Sequence, residues 1–194
     1  MTSRALAVGV LVLMSGCQET VQSGGFGERP LPPDPRPASD IPVGARPDAL
    51  VMNMSPTALD TNGNGYPDQM HATVHMFDRR FAPPMHAEGT VIFRLFAGGE
   101  SSRADARPLR EWTITGEALA RTRSRSQFGA CYQFRLSLLD QGRSDEFPHG
   151  YGDILAVFEP ADGGPEVRSG ETSTVQLGRR GDMTTSARRL DADE

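Results

Sequence analysis

The chain has 194 residues, a net charge of −5 and a pI near 5.4, and all twenty of its basic residues are arginine. Without lysine there is no phosphate-loop lysine, no Schiff base, no pyridoxal phosphate attachment and no Ser-x-x-Lys nucleophile. The acidic balance argues against non-specific binding to nucleic acid.

The first element is MTSRALAVGVLVLMSGC, with one basic residue, Arg4, an apolar run from Ala5 to Met14 and the small residues Ser15 and Gly16 before Cys17. That order reads as a secretory signal, because the apolar run falls short of the roughly 20 residues a spanning helix needs. The tetrad Met14-Ser15-Gly16-Cys17 resembles the lipobox of bacterial lipoproteins, with methionine where the family prefers leucine. The resemblance implies removal of residues 1–16, acylation of Cys17 by diacylglycerol and an N-acyl chain, and a membrane-anchored lipoprotein of the bacterial cell envelope, periplasmic or surface-facing. Two or more acyl chains anchor a protein stably. The competing expectation is plain secretion. With Cys17 acylated, Cys131 has no intrachain disulfide partner and is expected to pack as a small buried hydrophobe. Residues 17–47 are rich in proline and glycine and read as a semi-rigid tether.

A strand is expected over 49–57, at the start of a body spanning 48–178. After it comes LDTNGNGYPDQ, residues 59–69. Counted from Asp60, side-chain oxygens fall at the first, third, fifth and ninth places, on Asp60, Asn62, Asn64 and Asp68. Gly65 is sixth, and the Tyr66 carbonyl is seventh. Calcium takes six to eight oxygens, and alternate residues of a tightly curled loop can supply them. The run resembles the calcium loops of EF-hand-like, dockerin and thrombospondin type 3 repeats, the last most closely. His71 stands where an EF-hand carries its bidentate glutamate, so a standard EF-hand is excluded. Two carboxylates and two amides predict weak Ca2+ binding, about 10⁻⁴ to 10⁻³ M, bracing the next strand rather than sensing a signal. A further carboxylate is expected from elsewhere, with Asp78 and Glu88 as candidates. The plainer reading is an Asn-Gly turn.

Further strands are expected over 70–76, 90–96, 111–114, 132–138, 154–158 and 172–177, giving about seven in all. The clearest period of two is Tyr132, Phe134, Leu136 and Leu138 alternating with polar partners. A helix is expected from Gly116 to Gln127. Short strands between Gly-, Pro- and Asp-rich turns predict an all-β, antiparallel Ig-like sandwich with one short helical crossover. FGACYQFRLSLLD resembles the tyrosine-bearing penultimate strand of immunoglobulin-like and fibronectin type III-like domains.

His71 and His75 lie about 13 Å apart on a strand, too far for one zinc ion, and read as solvent-facing. Arg121, Arg123 and Arg125 are expected at the helix end, where cations suit the dipole. The tail 179–194 lacks hydrophobic period and reads as disordered, and its Arg180-Gly181-Asp182 triplet occurs readily by chance. No catalytic residue is assigned. The leading expectation is a lipid-anchored envelope module that binds an envelope protein or glycan or serves a structural role, with no nucleic-acid partner. The alternative is an envelope accessory enzyme resembling a glycan hydrolase, with a metal-braced loop.

Overall fold

A computed structural model describes residues 41–179, apart from Val43, Pro56, Thr57 and the side chain of Gln141. Cys17 and the 180–182 triplet lie outside the described residues. The strands in chain order are β1 (Ala49–Met54), β2 (Gln69–Phe77), β3 (Gly89–Ala97), β4 (Arg110–Thr115), β5 (Arg123–Ser126), β6 (Gly129–Ser137), β7 (Tyr151–Pro160), β8 (Val167–Arg168) and β9 (Ser173–Gln176), with one helix, α1 (Gly116–Arg121), between β4 and β5. Every strand pair is antiparallel.

Two sheets result. One has the order β1-β2-β6-β5; the other runs β4-β3-β7, with β8 and β9 occupying successive stretches of the far edge of β7. This four-against-rest arrangement, with β2 beside β6 and β3 beside β7, is the strand order of the immunoglobulin-type sandwich. All seven expected strands are present. The two that sequence reading missed are short: β5 is Arg-Ser-Arg-Ser, without an apolar residue to betray a buried face, and β8 has only two residues.

Period-two patterning builds the core. Leu50 and Met52 of β1, Met70, Ala72, Val74 and Met76 of β2, and Tyr132, Phe134 and Leu136 of β6 point inward from the first sheet. They meet Val91, Phe93 and Leu95 of β3 and Ile154, Ala156 and Phe158 of β7. Each of the larger fully buried aliphatic or phenylalanine side chains contributes about 1.5–3 kcal/mol. The sheets touch edge-to-face where Phe93 and Phe134 approach to 4.9 Å between ring centroids, and Trp112 Nε1 donates across the flank to the Ser137 carbonyl at 2.9 Å.

The helix is shorter than its composition suggests, ending at Arg121 rather than Gln127. Thr122 turns its Oγ1 back onto the Leu119 carbonyl at 2.8 Å, and residues 123–126 pair with β6 instead. Arg121 is therefore on the helix, tied to Glu117 at 2.5 Å, whereas Arg123 and Arg125 are on a strand and share no helix face with it.

The strand carrying Tyr132 is not penultimate. β6 sits inside the first sheet, with three strands still to follow. Its tyrosine hydroxyl donates to the Ala87 carbonyl (2.7 Å) and accepts the Ala87 N–H (2.8 Å), so it reaches back 45 residues to the β2–β3 connection. Cys131 is buried, as expected of a small hydrophobe.

Candidate metal centre

Leu59 and Gln69 form an isolated antiparallel bridge, with the Leu59 N–H on the Gln69 carbonyl at 2.8 Å and the Asp68 N–H on the Leu59 carbonyl at 2.7 Å. The bridge pinches residues 60–68 into a closed loop at the start of β2. The Asp68 carbonyl also accepts the Leu138 N–H at 2.7 Å, tying the loop to the end of β6.

Inside the loop the expected residues turn their oxygens onto the backbone. Asp60 accepts the Gly63 N–H at 2.7 Å and the Gly65 N–H at 2.8 Å. Asn62 Oδ1 accepts the Asn64 N–H at 3.0 Å, and Asn64 Oδ1 accepts the Tyr66 N–H at 2.8 Å. Asp68, only 1% exposed, accepts the Thr61 hydroxyl and N–H and the Asn62 N–H at 2.8–3.1 Å. Gly63 and Gly65 have φ of 77° and 91°, in the left-handed region that lets the loop curl without a Cβ clash. The Arg179 side chain rests against Gly65, 3.1 Å from where a Cβ would stand.

A residue that sequence reading did not find completes the arrangement. Asp145, in the β6–β7 connection and 3% exposed, lies over the loop. Its carboxylate accepts Asn62 Nδ2 at 2.9 Å and Asn64 Nδ2 at 3.0 and 3.1 Å. It stands 83 residues from Asn62 in sequence, and no local pattern marks it. Only the sandwich topology, which sets the β1–β2 and β6–β7 connections at one end, could have pointed to it.

The two carboxylates first considered for that role are elsewhere. Asp78 follows the last residue of β2, a full strand from the loop, or roughly 25–30 Å. It is buried against Arg80 at 2.5 Å, and that guanidinium holds its carboxyl below the usual range. Glu88 precedes β3 at the same remote end, where its carbonyl accepts the Ala161 N–H.

Among the described residues no three His, Cys, Asp or Glu side chains stand together so as to hold a metal ion. The asparagine atoms that face Asp145 are Nδ2 donors; the oxygens of the arrangement are the carboxylates of Asp60, Asp68 and Asp145 and the two asparagine Oδ1 atoms, each retaining a second lone pair after accepting its backbone N–H. That mixed oxygen set, with no sulfur or imidazole, suits a hard cation and not zinc.

The histidines divide. His71 is exposed and pairs with Gln69 Nε2 at 3.0 Å. His75, expected to face solvent, is buried: Ser126 Oγ lies 2.9 Å from its Nε2, and the Phe128 ring stands edge-on at 6.0 Å. Burial lowers its pKa below 6.5.

Two clefts remain. One, of about 530 Å³, opens between β4 and β6 beside Trp112, Ile114, Phe134 and Asp140; its other carboxylate, Glu111, is paired with Arg94 at 2.9 Å. The other, of about 550 Å³, lies between residues 41–47 and the His86–Glu88 stretch, where Asp162 is paired with Arg46 at 2.5 Å. Among the described residues no helix is long and apolar enough to cross a membrane. Comparison with protein-family models, curated proteins and solved structures finds no match to this chain.

Proposed function

We propose that the chain is a lipid-anchored module of the bacterial cell envelope, whose sandwich is braced at one end by a weakly bound calcium ion and displayed for binding or structural work. The observation that carries the calcium half is the approach of Asp145 to Asn62 and Asn64. It sets a carboxylate from another connection on the two asparagines of the loop, a candidate for the further ligand that the loop pattern calls for. Asp60, Asn62, Asn64, the Tyr66 carbonyl and Asp68, with Asp145, make up the ligand set in this reading. Asn62 and Asn64 would hold a calcium ion through their Oδ1 atoms, and Asp60, Asp68 and Asp145 would supply the negative charge that balances it. The ion then crosslinks two loops that are distant in sequence and fixes the start of β2.

The anchor half rests on the Met14-Ser15-Gly16-Cys17 tetrad and the proline-rich stretch behind it. An envelope protein or glycan is the class of partner such a module would meet.

Calorimetric titration of the full chain with calcium tests the ion. Heat with a dissociation constant of about 10⁻⁴ to 10⁻³ M, abolished by Asp60→Ala, is expected; no heat at millimolar calcium rejects the site. Membrane fractionation tests the anchor. The wild-type chain should sediment with membranes and Cys17→Ala should not, and unchanged association of the variant counts against acylation.

A further inference from the structure

β4 is the outermost strand of its sheet, and among the described residues nothing pairs with it beyond β3. The register fixes which of its groups are left over. The Gly98 N–H donates to the Tyr151 carbonyl at 3.2 Å, so even-numbered residues of β3 bond β7 and odd-numbered ones bond β4. Val91, Phe93 and Leu95 therefore exchange bonds with Ile114, Trp112 and Arg110, and the N–H and carbonyl groups of Glu111 and Thr113 point away from β3. β6 is open on the facing side. β5 stops pairing with it at Tyr132, the Gln133 N–H goes to the Thr122 carbonyl, and among the described residues no strand lies beside the next groups on that edge, those of Arg135. An unpaired edge is a template for another strand, and β4 carries neither proline nor glycine to blunt it.

The 530 Å³ cleft lies between these two edges, with Trp112, Ile114, Phe134 and Leu136 as its apolar lining. Its charge is unlike that of the molecule. In a chain of net charge −5, Arg110, Arg135 and Arg143 line it against Asp140 and Glu111, and Arg94 already pairs Glu111. Arg110 and Arg135 make no ion pair among the described residues. The Arg110 guanidinium donates to the carbonyls of Leu109 and Ser144, both at 2.8 Å, and stands 4.7 Å from the Phe147 ring. Its Nε is buried without a hydrogen-bond partner among the described residues. Burial and the charge of Arg143 lower the Arg110 pKa from its usual value. A cation so placed is short of negative charge, and an anionic partner would supply it.

We propose that the cleft takes an extended peptide segment bearing Asp or Glu, which adds to the free edge of β4 as a further strand. Its backbone meets the N–H and carbonyl groups of Glu111 and Thr113, its alternate side chains lie over the apolar lining, and its carboxylates face the arginines. A second copy of the chain fits poorly, since pairing two β4 edges about a twofold axis would set the same arginines against each other. The inference names a partner for a displayed module but needs neither the anchor nor the ion, so its test is independent of both.

The test titrates the full chain into labelled peptides of about ten residues, the length of an ordinary strand, in which valine alternates with glutamate, threonine or arginine, and reads fluorescence anisotropy. The glutamate peptide should bind about tenfold or more tighter than the threonine peptide, with the arginine peptide weakest, and the gap should narrow at high salt. Two methylated forms of the glutamate peptide separate strand addition from charge alone, because N-methylation removes donors and leaves every carboxylate. Methylating all the valine nitrogens or all the glutamate nitrogens removes the donors of one edge or the other, so one form should lose binding and the other keep it. Arg135→Glu, at an exposed position, should weaken the glutamate peptide by about tenfold and strengthen the arginine peptide. Thr113→Pro removes a donor on the free edge without breaking a bond to β3, and should also weaken the glutamate peptide by about tenfold. Equal affinity for the three peptides, equal affinity for the two methylated forms, or no binding by any peptide up to about 1 mM overturns the proposal. A chain that is dimeric in solution and becomes monomeric with Thr113→Pro assigns the edge to a second copy and overturns it as well.

Discussion

Asp145 holds the two distal loops together with one carboxylate. Its bonds to Asn62 and Asn64 are part-buried and charge-assisted, the stronger class of hydrogen bond. Asp145→Ala should lower unfolding free energy by about 2 kcal/mol in calcium-free buffer, read from denaturant midpoints, and should also remove the calcium response; an unchanged midpoint would show that the bonds carry nothing. His75 makes a second residue-scale prediction. Its folded-state pKa is depressed by burial, so as pH falls below 6.5 the unfolded chain takes up the proton first. The stability from the neutral ring is complete above pH 6.5 and is lost as pH falls toward the folded-state value. Between about pH 7.5 and about pH 5 the wild-type melting temperature should fall more steeply than that of His75→Gln.

At the scale of elements, the β2–β3 connection is fixed by Tyr132. Tyr132→Phe strands the N–H and carbonyl of Ala87 and should destabilise by about 2 kcal/mol. Packing is tight where Gly152 of β7 passes the core, since a Cβ there would stand 2.7 Å from Leu177 Cδ1 and 2.8 Å from the Phe96 carbonyl oxygen. Gly152→Ala should destabilise by about 1–3 kcal/mol, and a neutral result would show that this end of β7 yields. Strands with an apolar face were legible in the sequence because burial imposes period two on them, as in β2 and β6. β5 was not, since an edge strand of Arg and Ser owes its conformation to pairing with β6 and not to its own side chains. The helix was overextended for the same reason: residues 122–127 have no intrinsic stop, and the competing β6 edge ends it. The loop from Asp60 to Asp68 was legible because its donors are consecutive. Asp145 was not, because only the folded topology brings it there. The burial of His75 was missed because the covering group, Phe128, belongs to another strand pair.

Across the whole molecule the account gives the sandwich two unlike ends. At one the described chain enters β1 and Phe128 is exposed; the other gathers the β1–β2 loop and Asp145. An ion at the second end would crosslink the β1–β2 and β6–β7 connections, so removing it should loosen that end. The most direct test of this is the thermal midpoint of the full chain in excess calcium, at ten to a hundred times the dissociation constant, against chelator. Linkage at that excess gives about 1.4–2.7 kcal/mol, a rise of roughly 3–10 °C for a domain of this size. The account predicts that rise in the wild type and none in Asp60→Ala or Asp145→Ala. An equal midpoint with and without calcium in the wild type, or an equal rise in all three proteins, would contradict it.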